Sequence, residues 1–150
     1  MSELSDLYQE VILDHSRHPH NYHAMEGATR RAEGYNPLCG DQLTLYVKLD
    51  GDKIQDISFV GNGCAISKSS ASVMTELVKG KSKTEAAALF EKFRQVVTDP
   101  AAAKIEGSNK MAVFSGVSEF PGRVKCAVLG WHTLRSVLEN KDGKISTESL

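Results

Sequence analysis

The sequence predicts an α+β fold, a small antiparallel β-sheet of about three strands covered by helices. Alternation of apolar and polar residues with a period of two is confined to the early part of the chain, around residues 42–60. Helical periodicity holds at the N-terminus and again in nearly everything after residue 64, so strands cluster early and helices late. The 150 residues, 41% hydrophobic and 25% charged, are enough for one domain with a real core, and neither an internal repeat nor a low-complexity linker divides residues 1–150.

Each element has its own signal. Leu4, Leu7, Tyr8, Val11 and Ile12 form the stripe of an amphipathic helix over residues 3–17, ending near Pro19 in a loop. Leu43, Leu45, Val47 and Leu49 alternate with Thr44, Tyr46 and Lys48 as a half-buried strand. Asp50-Gly51 signals a hairpin into a second, less regular strand over Lys53–Val60. The segment before Asn36 supplies a third, antiparallel strand. Gly61-Asn62-Gly63 breaks the second strand, and Ile66, Ser70, Val73, Met74 and Leu77 then give helical spacing with Gly80 as the C′ residue. In "SKTE", Ser82 is an N-cap and Glu85 its N3 partner, opening a helix through Leu89, Phe90, Phe93, Val96 and Val97 that stops at Asp99-Pro100. Residues 100–122 read as loop with a short helical piece near Ala101–Ala103. Arg123–Glu139 reads as the last helix, and the final ten residues as a frayed polar tail.

Composition narrows the function. A net charge of −1 offers no general attraction for nucleic acid or an anionic membrane, and the basic clusters at Arg30–Arg31 and Lys79, Lys81 and Lys83 are explained by a solvated face. No apolar run reaches the ~18–20 residues of a membrane span. The N-terminal segment lacks the apolar core of a secretory signal, so the expected compartment is the cytoplasm. Three cysteines cannot pair completely, and nothing in their spacing suggests a disulfide framework.

The surroundings of those cysteines carry the chemistry. In "YNPLCGDQL", Cys39 and Asp41 flank a glycine where a loop enters the first core strand; in extended backbone such positions share a side. Cys64 follows the second strand at the N-terminus of a helix, and Cys126 lies in the first turn of the last one. Both places favour a thiolate through the positive end of the helix dipole. The hairpin sets the start of one strand beside the end of the other, so Cys39, Asp41 and Cys64 converge at one sheet end, and docking the last helix there adds Cys126. Three sulfurs and a carboxylate form a four-donor set that suits zinc, or thiolates for an iron–sulfur cluster. The competing reading is three independent, buried, inert cysteines. Four anionic donors around a dication leave net negative charge, which Arg123 and Lys125 are placed to compensate, or to present to an anionic partner.

Two other stretches invite a function and are declined. "HSRHPHNYH" holds His15, His18, His20 and His23, but these straddle a helix end and a Pro-containing loop with no matching carboxylate or cysteine nearby, so the metal reading is declined. His132 reads as a packed or surface residue. "GNGCAIS" lacks the third glycine and the βαβ setting of a dinucleotide fingerprint.

"YNPLCGD", "GNGCAISKSSAS" and "FSGVSEFPGRVKCAVLGW", in that order and together with "LYQEVILDHSRHP", resemble the U-type iron–sulfur assembly proteins, the IscU/NifU N-terminal family. The likeness covers nearly the whole chain and is greatest to the SufU branch. The interval from Cys64 to Cys126 is longer than in IscU-like members, with the extra length around residues 81–110. Lys125 stands where IscU-like members carry a histidine before the third cysteine. The resemblance implies an IscU-like fold and zinc held by Cys39, Asp41, Cys64 and Cys126. It also implies a PLP-dependent cysteine desulfurase of the SufS type as partner, with PLP on that partner, and Cys39 as the acceptor of persulfide sulfur for downstream iron–sulfur assembly proteins. Three functions stay open at this point: a zinc-dependent sulfurtransferase, a scaffold building an iron–sulfur cluster on the same cysteines, and a structural zinc binding module.

Overall fold

A computed structural model describes residues 3–37, 39–99, 110–139 and 144–146. Helix α1 (Glu3–Arg17) is followed by strands β1 (Arg30–Asn36), β2 (Asp41–Asp50) and β3 (Lys53–Asn62). Helices α2 (Ala65–Val78) and α3 (Lys83–Thr98), a 3-10 helix (Ala112–Glu119), helix α4 (Pro121–Leu138) and a short strand β4 (Lys144–Ser146) complete the order. The sheet runs β3-β2-β1-β4; β1, β2 and β3 are antiparallel neighbours, as expected for the α+β class.

Alternation in β2 decides what faces the helices. Asp41, Leu43, Leu45 and Val47 are buried, whereas Gln42 and Lys48 are exposed. Asp41 therefore sits in phase with the core residues, an acidic side chain on the covered face of the sheet. The weaker alternation of β3 has a local cause: the pairing steps from Lys48↔Asp56 to Leu49↔Ile54, leaving Gln55 as the extra residue of a bulge.

Helices α2 and α4 cover this face. Leu45, Val47, Ile57, Met74, Leu129 and Trp131 are almost wholly buried between the layers. The Ser70 hydroxyl donates to the Ala127 carbonyl at 2.5 Å, a buried link that pins α2 to α4 one residue beyond Cys126. Helix α1 lies against α2, and Phe93 of α3 stacks on Trp131 at 5.1 Å between ring centroids. The capping box is made as expected: Glu85 N–H donates to Ser82 Oγ and Ser82 N–H to Glu85 Oε1, both at 3.1 Å.

The structure departs from the sequence expectation at the C-terminal side. Residues 112–119 wind into a 3-10 helix rather than a loop, and α4 starts at Pro121, since proline is well suited to the first helical position. The tail is not wholly frayed, because Lys144–Ser146 pair in parallel with Glu33–Tyr35 at the edge of the sheet. The helical piece near Ala101–Ala103 lies outside the described residues.

Candidate metal centre

Cys39, Asp41 and Cys126 meet at one end of the sheet, with Cys64 beside them but outside their mutual 4.8 Å cluster. The β1–β2 connection turns there, closed by the Asn36↔Asp41 pair, and the end of β3 lies alongside through Gln42↔Asn62. Cys39 and Asp41 do not share a side through extended backbone, as the sequence suggested. Cys39 lies in the turn, and Gly40, at φ of 73°, reverses the chain with its N–H donating to the Asn36 carbonyl at 2.9 Å. The result is the same convergence by another route: Cys39 Sγ, a carboxylate oxygen of Asp41 and Cys126 Sγ all lie within 4.8 Å of one another.

Cys64 joins through Asp41. Its N–H donates to Asp41 Oδ1 at 2.8 Å, and its thiol lies 3.9 Å from Asp41 Oδ2. It is the N-cap of α2, with its sulfur accepting the Ser67 N–H at 3.4 Å, so the backbone supplies a donor to a thiolate there. The preceding Gly63 has a steric role: a Cβ at this position would stand 2.9 Å from Asp41 Oδ1, so any other residue would press on the carboxylate.

Cys126 differs from expectation. Because α4 starts at Pro121, Cys126 falls in its second turn rather than its first, and it is fully buried. Burial, then contacts with Cys39 and Asp41 and the charges of Cys64 and Asp41, push its thiol far above the ordinary range. The helix end does not activate this sulfur; a bound cation is what can hold it deprotonated. Cys126 Sγ is 3.3 Å from Cys39 Sγ, and the three cysteines grade outward from buried Cys126 through half-buried Cys64 to exposed Cys39.

Sequence reasoning missed Asn36. This fully buried side chain donates through Nδ2 to Asp41 Oδ2 at 3.2 Å and to Cys126 Sγ at 3.3 Å, tying two donors on distant segments. Its only signal was its place in "YNPLCGD". Of the two cations singled out, Arg123 faces the site: the charges of Cys64, then Cys126 and Cys39, hold its guanidinium still more firmly protonated. Lys125 is exposed on α4, with no hydrogen bond or ion pair to the site among the described residues. Beside Cys64 a cleft of about 870 Å³ opens, lined by Tyr8, Ile12, Ile66, Phe120 and Arg123 among others, with Phe120 60% exposed at its rim.

The donors fit a thiophilic cation. Two carbon-bound sulfurs and a carboxylate, two of the three fully buried, cannot all be anionic together without a positive centre among them. Three sulfurs and one oxygen suit Zn²⁺, and thiolates also suit iron–sulfur clusters.

The fold and site together define an α+β protein with thiols and a buried carboxylate gathered at one sheet end. The sequence pattern of the NifU-like N terminal domain family matches residues 7–127, and the chain belongs to that family, as its three motifs suggested. It is similar to the iron–sulfur cluster assembly scaffold protein IscU of Streptococcus pyogenes serotype M1, with 41% identity over 93% of this chain and 87% of the relative. It is also similar to the zinc-dependent sulfurtransferase SufU of Bacillus subtilis (strain 168), with 35% identity over 95% and 96% of the two chains. Among solved structures, a candidate iron–sulfur cluster assembly scaffold protein for the SUF system from Fervidobacterium islandicum AW-1 superposes with a TM-score of 0.78 and 37% identity, over 92% of this chain and 99% of that one. The protein is thus placed within iron–sulfur cluster assembly. None of its described helices is long and apolar enough to cross a membrane.

Proposed function

We propose that this chain is a zinc-dependent sulfurtransferase of iron–sulfur cluster assembly. On this reading it accepts sulfur on Cys39 from the persulfide of a SufS-type, PLP-dependent cysteine desulfurase and passes it to downstream assembly proteins. The observation that carries the reading is the grading of the thiols: Cys39 is exposed on a glycine turn, while Cys64 and Cys126 are anchored on helices around buried Asp41. Cys39, Asp41, Cys64 and Cys126 would hold Zn²⁺, which when bound lowers the proton affinity of its thiol ligands.

The chain's own residues do the rest. Asn36 and the Cys64 N–H orient the Asp41 carboxylate, and the turn at Gly40 lets Cys39 move while the helix-borne cysteines stay in place. The Cys39 thiolate attacks the terminal sulfur of the partner's persulfide. A new S–S bond forms on Cys39 as the partner's S–S bond breaks, and the partner's cysteine leaves as a thiolate, without net oxidation or reduction. Arg123, exposed beside Cys64 and the cleft, attracts the anionic persulfide.

A second reading has its own support, since the Streptococcus pyogenes relative is named a scaffold. There the same thiols hold a nascent cluster. Lys125 in place of a histidine weighs against it, as it removes a donor that IscU-like members have. The test is desulfurase turnover with the zinc-loaded chain. Cys39→Ala should keep part of the zinc and lose the stimulation, and Asp41→Ala should weaken zinc retention. Full turnover with Cys39→Ala overturns the acceptor role. A brown, cluster-bearing protein purified without added iron, in place of stoichiometric zinc, favours the scaffold.

A further inference from the structure

The local sequence gives the histidine-rich segment no matching carboxylate; the fold supplies one from α2. His15 in the last turn of α1, His20 in the loop that follows and Glu76 on α2 bring one candidate ligand atom each to within 4.8 Å of the others. His20 Nδ1 lies 2.7 Å and His15 Nε2 3.7 Å from Glu76 Oε1. Zinc bonds of about 2.0–2.1 Å to nitrogen and oxygen, at tetrahedral angles, set donors about 3.3–3.4 Å apart. The two observed separations bracket that value, and the two ring nitrogens lie within 4.8 Å of each other.

The surroundings orient the donors as in built metal sites. Ser72 Oγ lies 2.8 Å from His15 Nδ1, holding the far nitrogen of the ring so that Nε2 faces Glu76. The same Oγ accepts the His20 N–H at 2.7 Å, fixing the loop. Asn21, at a left-handed φ of 55°, donates through Nδ2 to Thr75 Oγ1 at 3.0 Å and locks the next residue to the same helix. Lys110 Nζ takes the other carboxylate oxygen, Glu76 Oε2, at 3.2 Å, leaving Oε1 to the histidines.

We propose that His15, His20 and Glu76 form a second binding site, separate from the cysteines, for a divalent transition metal of the zinc class, with water in the fourth position. Glu76 lies twelve residues beyond Cys64 on the same helical path, about 18 Å at ~1.5 Å per residue, so the two sites do not share ligands. Occupancy ties the end of α1 to α2. Tyr8 and Ile12 of α1 form a wall of the cleft beside Cys64, so the ion steadies that wall.

The full-length chain, reduced and stripped of metal, is titrated with Co²⁺. Two equivalents are expected: one with intense near-ultraviolet sulfur-to-metal charge transfer, and one with only the weak visible bands of nitrogen and oxygen ligands. His20→Ala and Glu76→Gln should each lose the second equivalent and keep the first, whose retention also shows that the variants are folded. Absence of the sulfur-free equivalent in the wild type, or its survival in both variants, overturns the proposal. Absence of the sulfur-type equivalent alone counts against the cysteine centre and leaves the histidine site standing.

Discussion

The side-chain amide of Asn36 donates to the sulfur of Cys126 at 3.3 Å, and both residues are fully buried. Asn36 lies at the end of β1 and Cys126 on α4, so this bond links the end of the sheet to the helix beside the candidate donors. Outer partners of metal ligands tune affinity roughly 10–100-fold. Asn36→Ala is expected to weaken zinc binding by about that factor, measured by competition with a chromophoric chelator. An unchanged affinity removes Asn36 from the site.

Gly63 makes room for Asp41. In Gly63→Ala the new methyl must displace the carboxylate or shift the start of α2. Overpacking of this kind costs about 1–3 kcal/mol. Urea denaturation of the metal-free protein should show that loss, and zinc affinity should fall with it. Wild-type values in both measurements would mean that Asp41 is not held where the carboxylate is needed.

Chelation should leave a folded chain. The apolar core between the sheet, α2, α3 and α4 is built from residues such as Leu45, Ile57, Met74, Phe93 and Trp131, none of them a donor. Removing zinc is expected to lower the midpoint of thermal unfolding while keeping one cooperative transition and the helical circular dichroism, because that core does not depend on the donors. Collapse of the helical signal on chelation would mark a structural zinc module instead.

Acid stability should depend on His132. Burial, then the charges of Arg135 and Arg94, lower its pKa to about 4, with the ring edge-on to Phe90 at 4.8 Å between centroids. The folded state therefore binds this proton less readily than the unfolded chain. Stability from the neutral ring is fully present above the unfolded value near 6.5 and is lost as pH falls toward about 4. The expected loss is about 2 kcal/mol after allowance for the solvent-facing part of the ring. His132→Leu should flatten this limb in chemical denaturation followed from pH 7 to pH 4, and an unaltered limb would assign the acid sensitivity elsewhere.

Ser82→Ala removes the capping box of α3 far from the cysteines and should cost about 1 kcal/mol of stability without changing zinc affinity. A change in metal binding in this variant would reveal coupling between α3 and the site that no contact described above explains.

Much of this was legible residue by residue. The period-two pattern of Leu43, Leu45 and Val47 implied the buried face of β2, and Asp41, two residues earlier, falls in phase with them. The N-cap place of Cys64, the capping box of Ser82 and the hairpin at Asp50-Gly51 are all local devices, and each was read from its own few residues. The environment of Cys126 was not legible. A shift of two residues in the start of α4 moved it from the first turn to the second, and burial then reversed the expected direction of its titration.

By itself the sequence determined helices α1 to α4, strands β1 to β3 and their order, but not the 3-10 helix or β4, because hydrophobic periodicity and capping act over one or two turns of chain. It also determined the family, through three motifs whose residues must stay together. Only the tertiary structure decided that Asn36 bridges Asp41 to Cys126, 90 residues away, and that Glu76 stands beside His15 and His20. Those contacts depend on how α1 and α4 dock against α2 and the sheet. Helix docking is set by the summed shape of many side chains, and no local pattern reports it.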